Sequence, residues 1–140
     1  MFEPFPGNYI WNLGVNLALI GGGNHGEIDL ACRPIREAAA KGADAGTAQF
    51  FESWLRIAEQ LVRNAEADLK DAREFSAAAK LFRACGYYLN AERLQARDYP
   101  PRWAAYKIGL DCFRRSIELG GDPVEFIEIP YDGSSYTALF

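Results

Sequence analysis

Apolar residues recur at alternating spacings of three and four from the N-terminus to Gly120. This spacing is typical of helices that each bury one apolar stripe. We expect the stripe residues to form the core of a helical bundle. The pattern predicts five helices, whose stripes are Ile10, Leu13, Leu17 and Ile20; Ile28, Ala31, Ile35 and Ala38; Phe51, Trp54, Ala58, Leu61 and Ala65; Phe75, Ala78, Phe82, Cys85 and Leu89; and Trp103, Tyr106, Leu110, Phe113 and Ile117.

Glycine and proline mark most of the predicted helix ends. Stops are expected at residues 21–23, at Gly42 and at residues 119–123, where glycine can follow a helix and proline prevents its continuation. The break between the third and fourth helices, near residues 71–76, contains neither residue type. Pro34 falls inside the second helix, where it removes a backbone hydrogen bond, so we expect a kink or a split there.

The pattern changes in the last eighteen residues, 123–140. Residues 124–130 alternate apolar and polar side chains, residues 131–135 supply a turn around Gly133, and residues 136–140 form a second apolar run. Since an isolated hairpin is marginally stable in water, we expect these strands to belong to a larger sheet outside this chain. The predicted fold is therefore mainly α, with a helical domain at 1–122 and the first hairpin of a sheet domain at 123–140.

Composition narrows the possible partners. The chain has 140 residues, 49% hydrophobic and 24% charged, which is ordinary for a globular domain. A net charge of −4 disfavours nucleic acid as a partner. Residues 9–20 are apolar but contain Asn12 and Asn16, so they predict neither a signal peptide nor a membrane span. Small molecules or proteins, including a second copy in a homodimer, are the expected partners.

The three cysteines lie at wide spacings without a CxxC pair. They indicate neither a disulfide framework nor a zinc site, and they favour a reducing, cytoplasmic location. Residues 21–26 match GxGxxG, but a helical stripe precedes them where a nucleotide-binding fold needs a strand, so a helix connection is the better interpretation. His25 is the only histidine, and no GxSxG or HExxH motif occurs. We therefore predict no catalytic residue, metal site or cofactor within this chain.

Three segments carry a resemblance to a known family. They are Phe5-Pro-Gly-Asn-Tyr-Ile-Trp-Asn-Leu, Phe75-Ser-Ala-Ala-Ala-Lys-Leu-Phe-Arg-Ala-Cys-Gly-Tyr-Tyr-Leu and Val124-Glu-Phe-Ile-Glu-Ile-Pro-Tyr-Asp-Gly-Ser-Ser. In order and aromatic placement they are similar to the N-terminal part of α/β-hydrolases of the dihydroxypseudooxynicotine hydrolase and fungal polyketide-shortening hydrolase type. In that family a helical cap precedes the catalytic domain. The resemblance covers essentially the whole chain, although it includes no catalytic signature.

The resemblance implies a substrate-positioning cap that is not catalytic alone. It places the nucleophilic serine, the acid, the histidine and the oxyanion hole in a downstream sheet domain, so no catalytic residue carries over. The implied partner is an α/β-hydrolase catalytic domain, and the implied substrate is a small aromatic or polyketide-like compound cleaved at a carbon-carbon or ester bond. The candidate substrate-binding residues are Trp11, Asn12, Tyr87 and Tyr88, for which packing in the core stays open as the alternative.

A second interpretation also stays open. Aromatic and small residues along successive helical hairpins are typical of tetratricopeptide-like interaction modules. The same pattern does not occur twice at the period of about 34 residues that such repeats require. In this interpretation the helices bind a peptide or a partner helix, and the C-terminal strands add to the sheet edge of a partner.

Overall fold

The structure, a computed structural model, describes residues 2–42 and 48–140. Its mainly helical fold with a C-terminal antiparallel hairpin confirms the predicted fold class. None of the helices in the described residues combines the length and hydrophobicity needed to cross a bilayer. In chain order the elements are α1 (Tyr9–Ile20), α2 (His25–Cys32), a 3-10 turn (Arg33–Ile35), α3 (Arg36–Ala40), α4 (Ala48–Lys70), α5 (Glu74–Glu92), α6 (Pro100–Gly120), β1 (Phe126–Tyr131) and β2 (Ser134–Leu139).

Local chemistry explains where these helices end. Pro34 lies in the 3-10 turn, so the second predicted helix is split into α2 and α3 as expected. Between α4 and α5, Ala72 adopts a left-handed conformation with φ +54° and the Arg73 amide donates to the Asp68 carbonyl. This break falls within the predicted interval. Between α1 and α2, a β-carbon at Gly23 would lie 2.6 Å from the Ala18 carbonyl oxygen, so only glycine fits.

The three long helices pack side by side in antiparallel order, with α5 in the middle. The Trp54 ring of α4 contacts the Tyr87 ring of α5 at a centroid distance of 5.7 Å, and Asp68, farther along α4, binds Lys80. A salt bridge of 2.5 Å between Arg115 of α6 and Glu66 of α4 links the two outer helices. Helices α1 and α2 complete the bundle by packing on α5 and α4 respectively.

The predicted stripes of the second and third helices form the core. All members of the α4 stripe are buried, and so are Ile28, Ala31 and Ile35 of the α2 and α3 region. Trp11, Phe50, Trp54 and Tyr87 form a continuous row of ring contacts, with successive centroids 5.1, 5.9 and 5.7 Å apart.

The predicted stripes of α1, α5 and α6 are core only in part, which corrects the expectation from spacing. Ala78, Cys85 and Ile117 are buried, whereas other members are exposed: Phe75 by 78%, Phe82 by 47%, Leu110 by 39% and Ile20 by 83%. Small side chains bury the inner face of α6 instead, namely Ala105, Gly109, Cys112 and Ser116. Since small residues let α5 and α6 approach closely, the bulky exposed members of their stripes lie on a neighbouring face that no other described residue covers.

The hairpin pairs Phe126 with Leu139 and Tyr131 with Ser134 across a two-residue turn. Asp132 and Gly133 both have positive φ, as the tight hairpin turn with right-handed twist requires. One face of the hairpin contacts α6, where the Phe126 ring meets Phe113 at a centroid distance of 6.4 Å. The other face is apolar and exposed, and consists of Ile127, Ile129, Tyr131 and Tyr136.

Candidate functional site

An open groove of about 400 Å³ lies between α1, α5 and α6. We call it the apolar groove, because most of its lining residues are apolar and only one is charged. Its floor and walls come from the uncovered stripes described above. The lining residues are Leu17, Ala18 and Gly21 of α1; Phe82, Cys85, Gly86, Leu89 and Asn90 of α5, with Arg93 at its C-cap; and Leu110 and Phe113 of α6.

The backbone keeps the groove open along α5. Gly86 lies between Phe82 and Leu89, and a β-carbon at this position would have no neighbour within 4 Å. The absence of a side chain there leaves free space between the two larger residues. A glycine in the interior of a helix costs about 0.5–1 kcal/mol relative to alanine, so the open space comes at a cost to helix stability.

A polar cluster joins α2 and the connection that precedes it to α5. The Glu27 carboxylate accepts three hydrogen bonds from the Arg83 guanidinium, of 2.9, 2.9 and 3.2 Å, and a further one of 2.8 Å from the Tyr87 hydroxyl. The Tyr87 hydroxyl oxygen in turn accepts a 2.9 Å hydrogen bond from the backbone N–H of Asn24. Burial and the hydrogen bond to Glu27 raise the pKa of Tyr87, so its hydroxyl stays protonated and able to donate. The connection between α1 and α2 is therefore held against α5 at Asn24.

Two polar residues of α5 line the groove among its apolar neighbours. The Asn90 side chain is 1% exposed, and neither its amide nitrogen nor its amide oxygen has a hydrogen-bond partner among the described residues. Arg93, one helical turn later, donates through Nε to the Leu89 carbonyl at 3.2 Å. It takes part in no ion pair within residues 2–42 and 48–140, whereas Arg83, Arg102 and Arg115 each bind a glutamate.

Two further depressions adjoin the apolar groove. One shares Phe82 with it and extends past Phe75 toward Asp122. The other has a volume of about 380 Å³, shares Leu110 and Phe113, and reaches the inner face of the hairpin. The three depressions together extend along one side of the molecule from the start of α5 to the two strands.

The structure buries all four predicted substrate-binding residues. Trp11, Asn12, Tyr87 and Tyr88 are each 3% exposed or less, and none of them lines the apolar groove. Trp11 and Tyr87 belong to the same row of aromatic rings, and Tyr88 packs beside Gly109 of α6. The Asn12 amide forms two hydrogen bonds with the backbone of Phe5, of 2.8 and 3.1 Å. Contact of these residues with a substrate stays a prediction, and their visible role is packing.

The apolar spacing predicts core positions for six residues that line the groove, namely Leu17, Phe82, Cys85, Leu89, Leu110 and Phe113. A signal for them exists in α5, because this helix carries two apolar faces. One contains Phe75, Phe82 and Leu89, and the other contains Ala77, Leu81, Ala84, Tyr88 and Ala91. A helix with two apolar faces needs a neighbour on each face. Among the described residues, α4 and α6 pack against the second face of α5, but the first face is only partly covered.

The described residues hold no nucleophile paired with a base. His25 is exposed at the start of α2, and Asp29, four residues later, binds Arg33 and Arg36. Burial raises the pKa of Cys32 to about 12 and that of Cys112 to about 11, so both thiols are protonated and unreactive at neutral pH. No group of three or more His, Cys, Asp or Glu side chains in the described part of the chain is placed to hold a metal ion.

The geometry of the apolar groove is suited to binding. An apolar groove with a few polar groups is the usual form of a ligand or partner site. Comparisons with family models, with curated proteins and with solved structures find no match to this chain.

Proposed function

We propose that this chain is a helical cap that covers the substrate pocket of a serine α/β-hydrolase. In this proposal the catalytic serine, acid and histidine belong to a separate sheet domain, and the cap is not catalytic alone. The substrate is a small aromatic or polyketide-like compound cleaved at a carbon-carbon or ester bond. The proposal follows from the family resemblance of the sequence and from the surface described next.

One observation supports the proposal above the others. The uncovered stripes of α1, α5 and α6 converge on one groove, and this surface continues to a two-stranded hairpin whose outer face is also apolar. Extensive exposed apolar surface is typical of an interaction site. A cap needs both features, because its groove must enclose the substrate while its strands join the sheet of the catalytic domain.

The chemical role of such a cap is to exclude water and orient the substrate. A helical layer over a serine nucleophile lowers the local dielectric constant, so fixed hydrogen-bond donors stabilise the oxyanion of the transition state more strongly. The groove side chains would set which substrates fit. We propose a reducing, cytoplasmic location, with which the buried and free cysteines Cys32, Cys85 and Cys112 are compatible.

The test is hydrolysis of aryl esters by the polypeptide that the complete reading frame encodes. Phe82→Ala and Leu110→Ala should raise KM for bulky aryl esters several-fold and leave small acetate esters nearly unaffected. Leu30→Ala is the matched control, because Leu30 is an exposed leucine of α2 that does not line the groove. It should leave both KM values unchanged.

Two results would overturn the proposal. If the complete product hydrolyses no ester or carbon-carbon substrate, the assignment to a hydrolase is wrong. If the product is active but the two groove variants behave like Leu30→Ala, the groove does not contact the substrate and its role as a cap is wrong.

A helical interaction module is the second candidate. The favouring observation is the hairpin, whose strands pair only with each other among the described residues and leave both outer edges open. Such edges can add to the sheet of a partner or exchange between two copies in a homodimer. A stable dimer that dissociates when the hairpin is deleted, together with no hydrolase activity in the complete product, would favour this candidate.

A further inference from the structure

We propose that the outer edge of β2 is an interaction surface at which two copies of this chain pair, strand against strand, and so join their hairpins into one antiparallel sheet. The surface consists of the backbone groups of Ser135, Thr137 and Leu139. This inference deepens the second candidate function, because it specifies the edge, the occupant and the register. It does not depend on the assignment to a hydrolase.

The hydrogen bonds of the hairpin determine which backbone groups point outward. Glu125 and Phe140 exchange two backbone hydrogen bonds, each 2.9 Å long, so they form a hydrogen-bonded pair of the ladder. Such pairs alternate along an antiparallel ladder with pairs whose N–H and C=O groups point away from the partner strand. The register therefore places the outward groups at residues 126, 128 and 130 of β1 and at residues 135, 137 and 139 of β2.

The outer edge of β1 is protected against another strand. Pro130 occupies one of its outward positions and has no N–H to donate. Glu128 occupies the next one, so a symmetric pairing of two β1 edges about this residue would bring two carboxylates opposite each other. Proline and charged side chains are common means of preventing strand addition at a sheet edge. The two edges of the hairpin therefore differ in their capacity to pair.

The outer edge of β2 has neither form of protection. The strand reads Ser-Ser-Tyr-Thr-Ala-Leu and contains no proline and no charged residue. Ser135, Thr137 and Leu139 are all exposed, and their outward N–H and C=O groups have no partner among the described residues. The partner that satisfies all of these groups at once is an extended strand.

A second copy fits this edge because β2 is complementary to itself. When two β2 strands pair antiparallel about a twofold axis at Thr137, the two Thr137 residues lie opposite each other and Ser135 of each copy lies opposite Leu139 of the other. This register gives every outward group of both strands a partner. It brings no like charges together, and directly opposite threonines form a favourable cross-strand pair.

The association and the hydrolase activity are tested on different samples. Pairing through β2 is measured on this chain alone, whereas hydrolysis is measured on the product of the complete reading frame. A monomeric chain would leave the hydrolase proposal standing, and an inactive complete product would leave the pairing of β2 standing. The two failures are therefore distinguishable.

The experiment combines sedimentation equilibrium with amide hydrogen exchange followed by NMR. Sedimentation should show a monomer and a dimer whose ratio depends on concentration. In a concentrated sample the Thr137 amide should exchange about fivefold more slowly than in a dilute one, because its outward N–H becomes hydrogen-bonded. The Glu128 amide points outward from β1 and serves as the internal control, so its exchange rate should be the same in both samples.

Two proline variants form a matched pair. Thr137 and Glu128 lie opposite each other at a position without ladder hydrogen bonds, so proline at either residue removes one outward N–H and leaves the ladder intact. Both variants also lose the hydrogen bond between these two side chains. Thr137→Pro should raise the dissociation constant of the dimer about tenfold or more, whereas Glu128→Pro should change it less than about twofold. Slow exchange of the Ile127 and Ala138 amides establishes that each variant keeps its hairpin.

Three results would overturn the inference. The first is a chain that stays monomeric at millimolar concentration. The second is a dimer whose Thr137 amide exchanges as fast as in the monomer, which would mean that the copies associate through another surface, such as the apolar outer face of the hairpin. The third is equal association of Thr137→Pro and Glu128→Pro with both hairpins intact. If Thr137→Pro disrupts its hairpin, the exchange of the Thr137 amide in the parent chain decides.

Discussion

Gly109 of α6 lies directly against Tyr88 of α5, where a β-carbon on the glycine would come within 3.1 Å of the Tyr88 β-carbon. This contact determines how the two helices pack. Because α6 presents small residues to α5, the helices approach closely and the bulky residues Leu110 and Phe113 lie at the edge of the contact. The apolar groove is therefore a consequence of the small-residue interface behind it.

Gly109→Val should destabilise the protein by about 1–3 kcal/mol, because the added methyl groups must separate α5 from α6 or strain Tyr88. Gly86→Val is the matched control, since a β-carbon at Gly86 meets no atom within 4 Å. It should change the free energy of unfolding by less than about 0.5 kcal/mol. Urea denaturation followed by circular dichroism measures both values. Equal losses in the two variants would contradict the close contact at Gly109.

Tyr87→Phe should destabilise the protein by about 1–3 kcal/mol. The substitution removes the hydroxyl that donates to Glu27 and accepts from the Asn24 amide, and it leaves both groups without that partner. Tyr88→Phe is the control, because Tyr88 is equally buried but no hydrogen bond joins its hydroxyl to another described residue. The control should lose less than about 0.5 kcal/mol. A larger loss in Tyr88→Phe than in Tyr87→Phe would refute the role of the cluster.

The stability of the protein should fall in acid partly through Asp68. Hydrogen bonds from Lys80, Ser76 and Arg73 hold the pKa of the buried Asp68 carboxyl well below its usual value of 3.8. A carboxyl with a lower pKa in the folded state contributes stability that is complete above the unfolded pKa and is lost as the pH falls through the folded value. Asp68→Asn should therefore lower stability at pH 7 and flatten the decline below about pH 4.

Unfolding free energies measured by urea between pH 2 and pH 7 test this expectation. Asp98→Asn is the control, because Asp98 is exposed and forms no ion pair in the described part of the chain. It should preserve the pH profile of the parent chain. An unchanged slope in Asp68→Asn would mean that Asp68 does not contribute to the acid sensitivity.

Local signals determined most of the helix boundaries, which is why these were predictable. Pro34 splits the second helix for a reason internal to the backbone, and the period of α4 predicts a buried face that includes Trp54 and Ala58. The same period in α5 predicts a buried face whose two phenylalanines, Phe75 and Phe82, are exposed. Spacing reveals which face is apolar, but it does not reveal whether another element of the same chain covers that face.

The candidate site depends on contacts between residues that are far apart in the sequence. Glu27 and Tyr87 are separated by 60 positions, and their hydrogen bond joins α2 to α5. The groove itself requires α1, α5 and α6 to meet, which depends on Gly109 and on the turn at Gly23. The sequence alone does not show which residues Gly23 and Gly109 contact. Asn90 likewise resembles any helical asparagine until its buried, unpartnered amide is seen.

The outer face of the hairpin gives the final prediction. Ile129 is 48% exposed on this face, whereas Phe126 on the opposite face packs against Phe113. Ile129→Lys should therefore change the free energy of unfolding by less than about 0.5 kcal/mol, while Phe126→Lys should cost about 2 kcal/mol or more through lost apolar contacts. Light scattering of the parent chain should reveal self-association that increases with concentration, because exposed apolar strand surface promotes pairing.

Ile129→Lys should reduce this association, since a charge on the outer face opposes both stacking and edge pairing. Comparing Ile129→Lys with Phe126→Lys distinguishes an exposed face that can bind another polypeptide from a face that already packs within the chain. If Ile129→Lys unfolds the protein as readily as Phe126→Lys does, the outer face is part of the core. If it is neutral for stability and lowers the scattering mass, that face is a contact surface for another polypeptide, which is the property that a cap joined to a sheet domain requires.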